Sequence, residues 1–340
     1  MRSVAGTLCA PFPYFGGKAL ACETVWAAFG AVDNYVEPFA GSAAMLLGAP
    51  DGKRVETIND ADGFVANFWR AIAADADAVA EHADWPTNET DLFARHAWLV
   101  RQRDTMLDRL HADPLWFDSK VAGWWCWGAC NWIGSGWCSG NGPWVLDGVR
   151  MVRGDAGQGI NRKLPHLSNA GQGINRQLPH LGNAGQGINR KRGEFIRAWF
   201  SVLQERMRDV RVACGDWRRV LTESVTTRHG VTAVFLDPPY TKGAMDYGAG
   251  GMGLGIADDV RAWCAKNGAN DHLRIVLCGH AGEHDELLSA GWTCRAWTAR
   301  KGYALTDEAM NNSASETVWC SPACAASSQV VDDLFAEIGT

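Results

Sequence analysis

The amino-acid sequence predicts an α/β fold, a doubly wound sheet interrupted by one large insertion. Three observations predict it. Short apolar strands alternate with helical segments over roughly the first 75 residues. The alternation is lost between about 80 and 195, and it returns from there to about 320.

Asn34 to Phe39 reads as a strand ending in the small-residue turn Ala40-Gly41-Ser42-Ala43-Ala44. Arg54 to Ile58 is a second strand. Phe64 to Ala74 has a helical pattern, with Phe64, Val65, Phe68 and Ile72 on one face. Residues 80 to 115 look helical and polar. Residues 116 to 144 hold seven tryptophans (116, 124, 125, 127, 132, 137 and 144) among Gly, Ser and Asn, which does not fit a simple amphipathic helix. Most of these rings are expected in the core of the insertion. Ala-Gly-Gln-Gly-Ile-Asn-Arg then recurs at Ala156, Ala170 and Ala184, a 14-residue period spanning 156–190. Its Gly, Asn and Pro predict an extended, exposed loop. A helix is predicted over Glu194 to Arg208 with Phe195, Trp199, Val202 and Leu203 on one face. Strands follow at 210–214, 232–236, 273–278, 294–298 and 316–320.

With 47% hydrophobic and 21% charged residues, the composition is that of a globular chain. No apolar run is long enough for a membrane span and the first residues lack a signal-peptide pattern, so no membrane association and a cytoplasmic location, in a bacterial or phage-infected cell, are expected. The eleven cysteines lack two matched pairs, so they read as reduced packing residues and no metal is expected. The net charge of −6 argues against a generic DNA coat. Between Arg150 and Arg197, however, nine Lys+Arg oppose two Asp+Glu, a local +7. That segment is either a phosphate-facing surface or a solvated loop.

The residues richest in chemistry are Asp237-Pro238-Pro239-Tyr240, after the apolar strand 233–236. A strand end is where α/β folds place their sites. Asp237 can accept a hydrogen bond from an exocyclic amine, the prolines stiffen the turn so that the Pro238 carbonyl can aim at the same amine, and Tyr240 offers a face for a base. Read without further context, the four residues are a proline-rich turn.

In this motif the chain resembles the Dam-like DNA adenine-N6 methyltransferases, in a phage-type form. The resemblance extends, in order, to Tyr14-Phe15-Gly16-Gly17-Lys18, to Val36-Glu37-Pro38-Phe39-Ala40-Gly41-Ser42-Ala43, to Asn59-Asp60 and to Gly215-Asp216-Trp217, and covers about 11–75 and 194–322. Glu316 to Pro322 is similar to the closing strand of phage members. The resemblance implies that Tyr14, Lys18, Phe39, Gly41, Asp60, Asp216 and Asp237 bind S-adenosylmethionine, with Asp60 on the ribose hydroxyls and Asp216 near the adenine. It also implies that Asp237, Pro238, Pro239 and Tyr240 are catalytic. Asp60 could instead cap the helix ahead of Phe64, a role Asp62 could equally fill, and Asp216 could cap the helix that follows it. Ala43 departs from the family's second glycine, and alanine does not favour φ > 0.

The implied fold is a Rossmann-like S-adenosylmethionine-dependent methyltransferase sheet with an inserted target-recognition domain. Residues 1–78 and 196–340 form the catalytic domain and 79–195 the insertion. The implied substrate is double-stranded DNA, methylated at adenine N6 after base flipping by a chain that could act as a monomer. Cytosine-N4 methylation, glutamine methylation and an inactive phage-derived DNA-binding remnant are the alternatives. The cytosine enzymes more often carry Ser-Pro-Pro-Tyr and the glutamine enzymes Asn-Pro-Pro-Tyr, so Asp237 favours adenine.

Overall fold

A computed structural model of the chain describes residues 8–14, 18–132, 136–138, 144–147, 150–153, 192–239, 255–296 and 316–327. Its centre is a seven-stranded sheet. In chain order the elements are α1 (Cys22–Phe29), β1 (Asn34–Glu37), α2 (Ala44–Leu47), β2 (Val55–Asp60), α3 (Gly63–Ala83), α4 (Glu89–Ala112), α5 (Ser119–Asn131), β3 (Trp144–Asp147) and β4 (Arg150–Arg153). They continue with α6 (Arg192–Met207), β5 (Arg211–Cys214), β6 (Thr232–Leu236), α7 (Ile256–Asn267), β7 (Leu273–His280), β8 (Thr293–Ala296) and β9 (Glu316–Cys320). The sheet order is β5-β2-β1-β6-β7-β9-β8, and β3 with β4 forms a separate antiparallel pair. Strands β5, β2, β1, β6 and β7 are parallel to one another, while β9 runs antiparallel to both its neighbours.

Both faces of the sheet are covered, as the continuous apolar strands require. Alternate residues point to opposite faces. Tyr35, Ala233, Phe235, Val276, Cys278 and Val318 join a core with α1, α3, α5 and α6. Their neighbours Val36, Val234, Leu236, Ile275, Leu277 and Trp319 join a second core with Val260 and Cys264 of α7.

The order reverses between β1 and β6: β2 and β5 lie to one side, β7 and β9 to the other. A sheet of this kind opens a crevice at the carboxyl ends of the two strands flanking such a reversal. The registers of β1 against β2 and β6 bring the ends of all three strands to one edge.

The structure departs from the sequence reading in three places. The tryptophan-rich stretch contains the helix α5, buried on most of its circumference, which is why it lacks a simple amphipathic stripe. It lies close against α3: a Cβ on Gly123 would sit 2.6 Å from the Val79 carbonyl and 2.9 Å from the Ala83 nitrogen. Second, the buried face of α6 is Ile196, Trp199, Phe200, Leu203 and Met207, whereas Val202 is exposed. The predicted face was rotated by about one position, because the apolar side chains on this helix outnumber those its stripe can bury. Third, fewer tryptophans are fully buried than expected. Trp125 and Trp127 are, while Trp116, Trp124, Trp132 and Trp137 are half-buried. Cations lie on some of these rings: Arg95 is 4.7 Å from the Trp124 ring centroid and 4.4 Å from that of the buried Trp127, and Lys120 is 4.5 Å from Trp124, while Trp132 stacks on His96 with centroids 4.6 Å apart.

All eleven cysteines are free, nine of them buried. Among the described residues no helix is long and apolar enough to cross a membrane. The 14-residue repeat lies outside the described residues.

Candidate active site

The carboxyl end of β1 leads into Glu37-Pro38-Phe39-Ala40-Gly41, a turn that must leave the strand and start α2 within a few residues. It does so with Gly41 at φ 47° and Ala43 at φ 51°. Ala43 therefore adopts the left-handed conformation that its side chain was expected to disfavour, at a cost of roughly 1–2 kcal/mol. Gly41 has a second reason to be glycine. A Cβ there would lie 2.3 Å from Cε1 of Tyr14, whose ring rests directly on the turn.

Asp60, the last residue of β2, fixes this turn. Its Oδ2 accepts from the Gly41 N–H at 2.8 Å and its Oδ1 from the Asp62 N–H at 2.8 Å. The cap of α3 is Asp62, which accepts from the Phe64 N–H at 2.8 Å. Of the two acids that could have capped the helix, Asp60 is thus left to face the turn. Burial, with the Asp62 charge beside it, pushes the Asp60 carboxyl up to about 7. Asn59 ties the neighbouring strand ends together, donating to the carbonyls of Pro38 at 2.9 Å and Gly215 at 3.0 Å. Its own Oδ1 is buried and has no hydrogen-bond partner among the described residues.

Phe39 and Trp217 face each other across this edge, with centroids 6.0 Å apart and planes 33° apart. Asp216 precedes Trp217 and caps the short 3₁₀ turn Trp217–Val220, accepting from the Arg218 N–H at 2.8 Å. It is half exposed and also pairs with the Arg218 guanidinium at 3.2 Å.

Asp237 follows β6 on the other side of the crevice. Lys18, only 3% exposed, places its ammonium 3.3 Å from Oδ1 of Asp237 and 3.1 Å from Oε2 of Glu316. The two carboxylates outweigh the burial penalty and raise the Lys18 pKa, so the residue stays cationic. Pro238 is buried and Pro239 half-buried. Tyr240, together with Phe15, Gly16 and Gly17, lies outside the described residues.

The structure therefore brings Tyr14, Lys18, Phe39, Gly41, Asp60, Asp216 and Asp237 to one edge of the sheet, at the ends of β1, β2, β5 and β6. Two acidic residues here carried no assigned role in the sequence reading. Glu37 is fully buried, accepting from the Tyr35 hydroxyl at 2.9 Å and the Leu46 N–H at 3.3 Å, and burial pushes its carboxyl up to about 8. Glu316 opens β9 and meets Lys18. Each is an acid at the end of a largely buried strand, the one signal that could have singled it out.

This edge fits S-adenosylmethionine chemically. Phe39 and Trp217, packed on each other, offer an aromatic face for a flat ring. Two N–H groups occupy only part of the acceptor capacity of the Asp60 carboxylate, leaving room for a diol. The glycine turn lets the backbone come close to a ligand. Residues 14–110 match the model of the family described as D12 class N6 adenine-specific DNA methyltransferase. The match spans Tyr14, Lys18, Phe39, Gly41 and Asp60 and ends before Asp216 and the Asp237 motif. No curated protein matches the chain.

Proposed function

Taking the chain as the adenine-specific DNA methyltransferase that its family match indicates, we propose that it transfers a methyl group from S-adenosylmethionine to N6 of an adenine swung out of double-stranded DNA. The supporting observation is the Lys18 contact with Asp237, which joins the N-terminal motif to the Asp-Pro-Pro-Tyr motif at the reversal of strand order.

S-adenosylmethionine supplies an electrophilic methyl group on a sulfonium. Phe39 and Trp217 would offer a ring face to its adenine, Asp60 would accept from its ribose hydroxyls, and Tyr14 and Lys18 would lie towards its methionine end. Asp216 stands beside the adenine pocket. Asp237 and the Pro238 carbonyl accept the two N–H groups of the target amine, and Tyr240 stacks on the flipped ring, offsetting about 1–3 kcal/mol of the unstacking cost. Pro239 keeps the turn rigid. With both N–H groups held, the N6 lone pair points away from the ring plane towards the methyl. The N–C bond forms as the C–S bond breaks, and N6 then loses one proton to solvent. Rate comes from positioning and from the field of Asp237. The insertion, 79–195, is assigned to DNA recognition, with the basic segment 150–197 on phosphates.

Expression in a methylation-free host, followed by mapping of N6-methyladenine, tests the reaction. Asp237→Ala should lose at least about 10²-fold in turnover, as for a group stabilising transition-state charge, and keep cofactor binding in calorimetry. Retention of more than about a tenth of wild-type turnover would remove Asp237 from its role. N4-methylcytosine in place of N6-methyladenine would change the substrate.

A further inference from the structure

Lys18 needs one counter-charge and has two. Asp237 alone would neutralise the buried ammonium, and a second partly buried carboxylate costs desolvation without being required for pairing. Glu316 is nevertheless brought there by the fold: β9 enters the sheet antiparallel beside β7, with Glu316 paired to His280 at the carboxyl edge. Its Oε2 then lies 3.1 Å from Nζ of Lys18, slightly closer than Asp237 at 3.3 Å. Two other titratable groups sense this cluster, Glu37 from β1 and Cys278 from β7. Burial raises both, Glu37 to about 8 and the Cys278 thiol well above its ordinary value, so at neutral pH both are mainly uncharged. Among the described residues the charged set is Lys18, Asp237 and Glu316, with a net charge of −1.

We propose that Glu316 is a positioning residue for methyl transfer, holding Lys18 so that Asp237 keeps net negative character towards the target amine. The inference rests on the reaction proposed above. During transfer, positive charge moves from the sulfonium to N6, before a proton leaves N6 for solvent. A cluster of net charge −1 stabilises that developing charge, whereas Lys18 paired with Asp237 alone would present a neutral pair. Glu316 touches neither substrate nor cofactor in this scheme and acts through Lys18.

The test uses the full chain on duplex DNA at saturating S-adenosylmethionine. Glu316→Gln should lower kcat by about 10- to 100-fold, less than the 10²–10³ typical of a group acting directly on the transition state. KM for DNA, the cofactor dissociation constant and the melting temperature should stay near wild type. Glu316→Asp should restore most of kcat. A kcat within twofold of wild type for Glu316→Gln would overturn the proposal. So would a parallel loss of cofactor affinity or melting temperature that Glu316→Asp does not repair, since these mark a structural strut. An active wild type with an insensitive Glu316→Gln sinks only the role of Glu316, and a wild type that methylates no adenine sinks the proposed reaction with it.

Discussion

Gly41→Ala isolates the contact on which the cofactor turn depends. The added Cβ would lie 2.3 and 2.5 Å from Cε1 and Cδ1 of Tyr14, closer than real Cβ atoms approach a ring, so Tyr14 must leave its place. An alanine held at φ 47° adds roughly 1–2 kcal/mol of backbone strain. Displacing Tyr14 also forfeits its edge-on packing with Phe12, whose ring centroid is 6.3 Å away, worth about 0.5–1.5 kcal/mol. Together these predict a destabilisation of about 1.5–3.5 kcal/mol, a fall in melting temperature of several degrees for a domain of this size. The dissociation constant for S-adenosylmethionine should rise, because the same turn and ring line the cofactor edge. Thermal melting and calorimetry measure the two effects. Tyr14→Ala serves as the internal control: in that background Gly41→Ala meets no ring and should cost only the strain, about 1–2 kcal/mol. If Gly41→Ala costs as much without the tyrosine ring as with it, the close contact is not what selects glycine. If the single variant changes neither melting nor affinity, the reasoning about the turn fails altogether.

Asp60→Ala should weaken cofactor binding by roughly 1.5–3 kcal/mol, the worth of a hydrogen bond to a charged group, and leave DNA affinity nearly unchanged. Unaltered cofactor affinity in calorimetry would confine Asp60 to its two backbone bonds. The pH dependence of stability has a definite sign. Asp60 and Glu37 hold their protons up to about 7 and about 8 in the folded chain, against 3.8 and 4.5 when unperturbed. Between these values the folded state binds more protons than the unfolded state. The cofactor-free chain should thus be most stable at the acid end of that window and lose stability as pH rises towards 8. Glu37→Gln, whose amide oxygen can still accept from Tyr35 and Leu46, should flatten that slope in thermal melts, and an unchanged slope would refute the assignment. Deleting one repeat unit, Ala170 to Asn183, should leave a chain that folds and binds cofactor, since a flexible loop costs only about 0.6 kcal/mol per doubling in length. It removes Arg176 alone, so the salt dependence of DNA binding should flatten by up to about one charge. Loss of the melting transition, or a changed target site with an unchanged salt slope, would contradict this.

The sequence alone determined which segments become the central strands. β6 and β9 appear at the residues their apolar runs marked, and β1, β2 and β7 within a few residues of them, because a strand buried on both faces must be apolar along most of its length; the edge strands β5 and β8 also lie within a residue or two of their predicted ranges. It also placed Phe39, Gly41, Asp60, Asp216 and Asp237 just at or after strand ends, which in an α/β chain gather at one edge. Tertiary structure decided what no local pattern encodes. The burial of α6 on Ile196, Phe200 and Met207 depends on where α3 lies, not on the helix's own stripe. Which acid caps α3 and which holds the cofactor turn was undecided among Asp60 and Asp62 until their backbone partners were in place. Glu316 meets Lys18 because β9 inserts antiparallel between β7 and β8. That pairing, made across almost the whole length of the chain, is set by sheet order and register rather than by any spacing in the sequence.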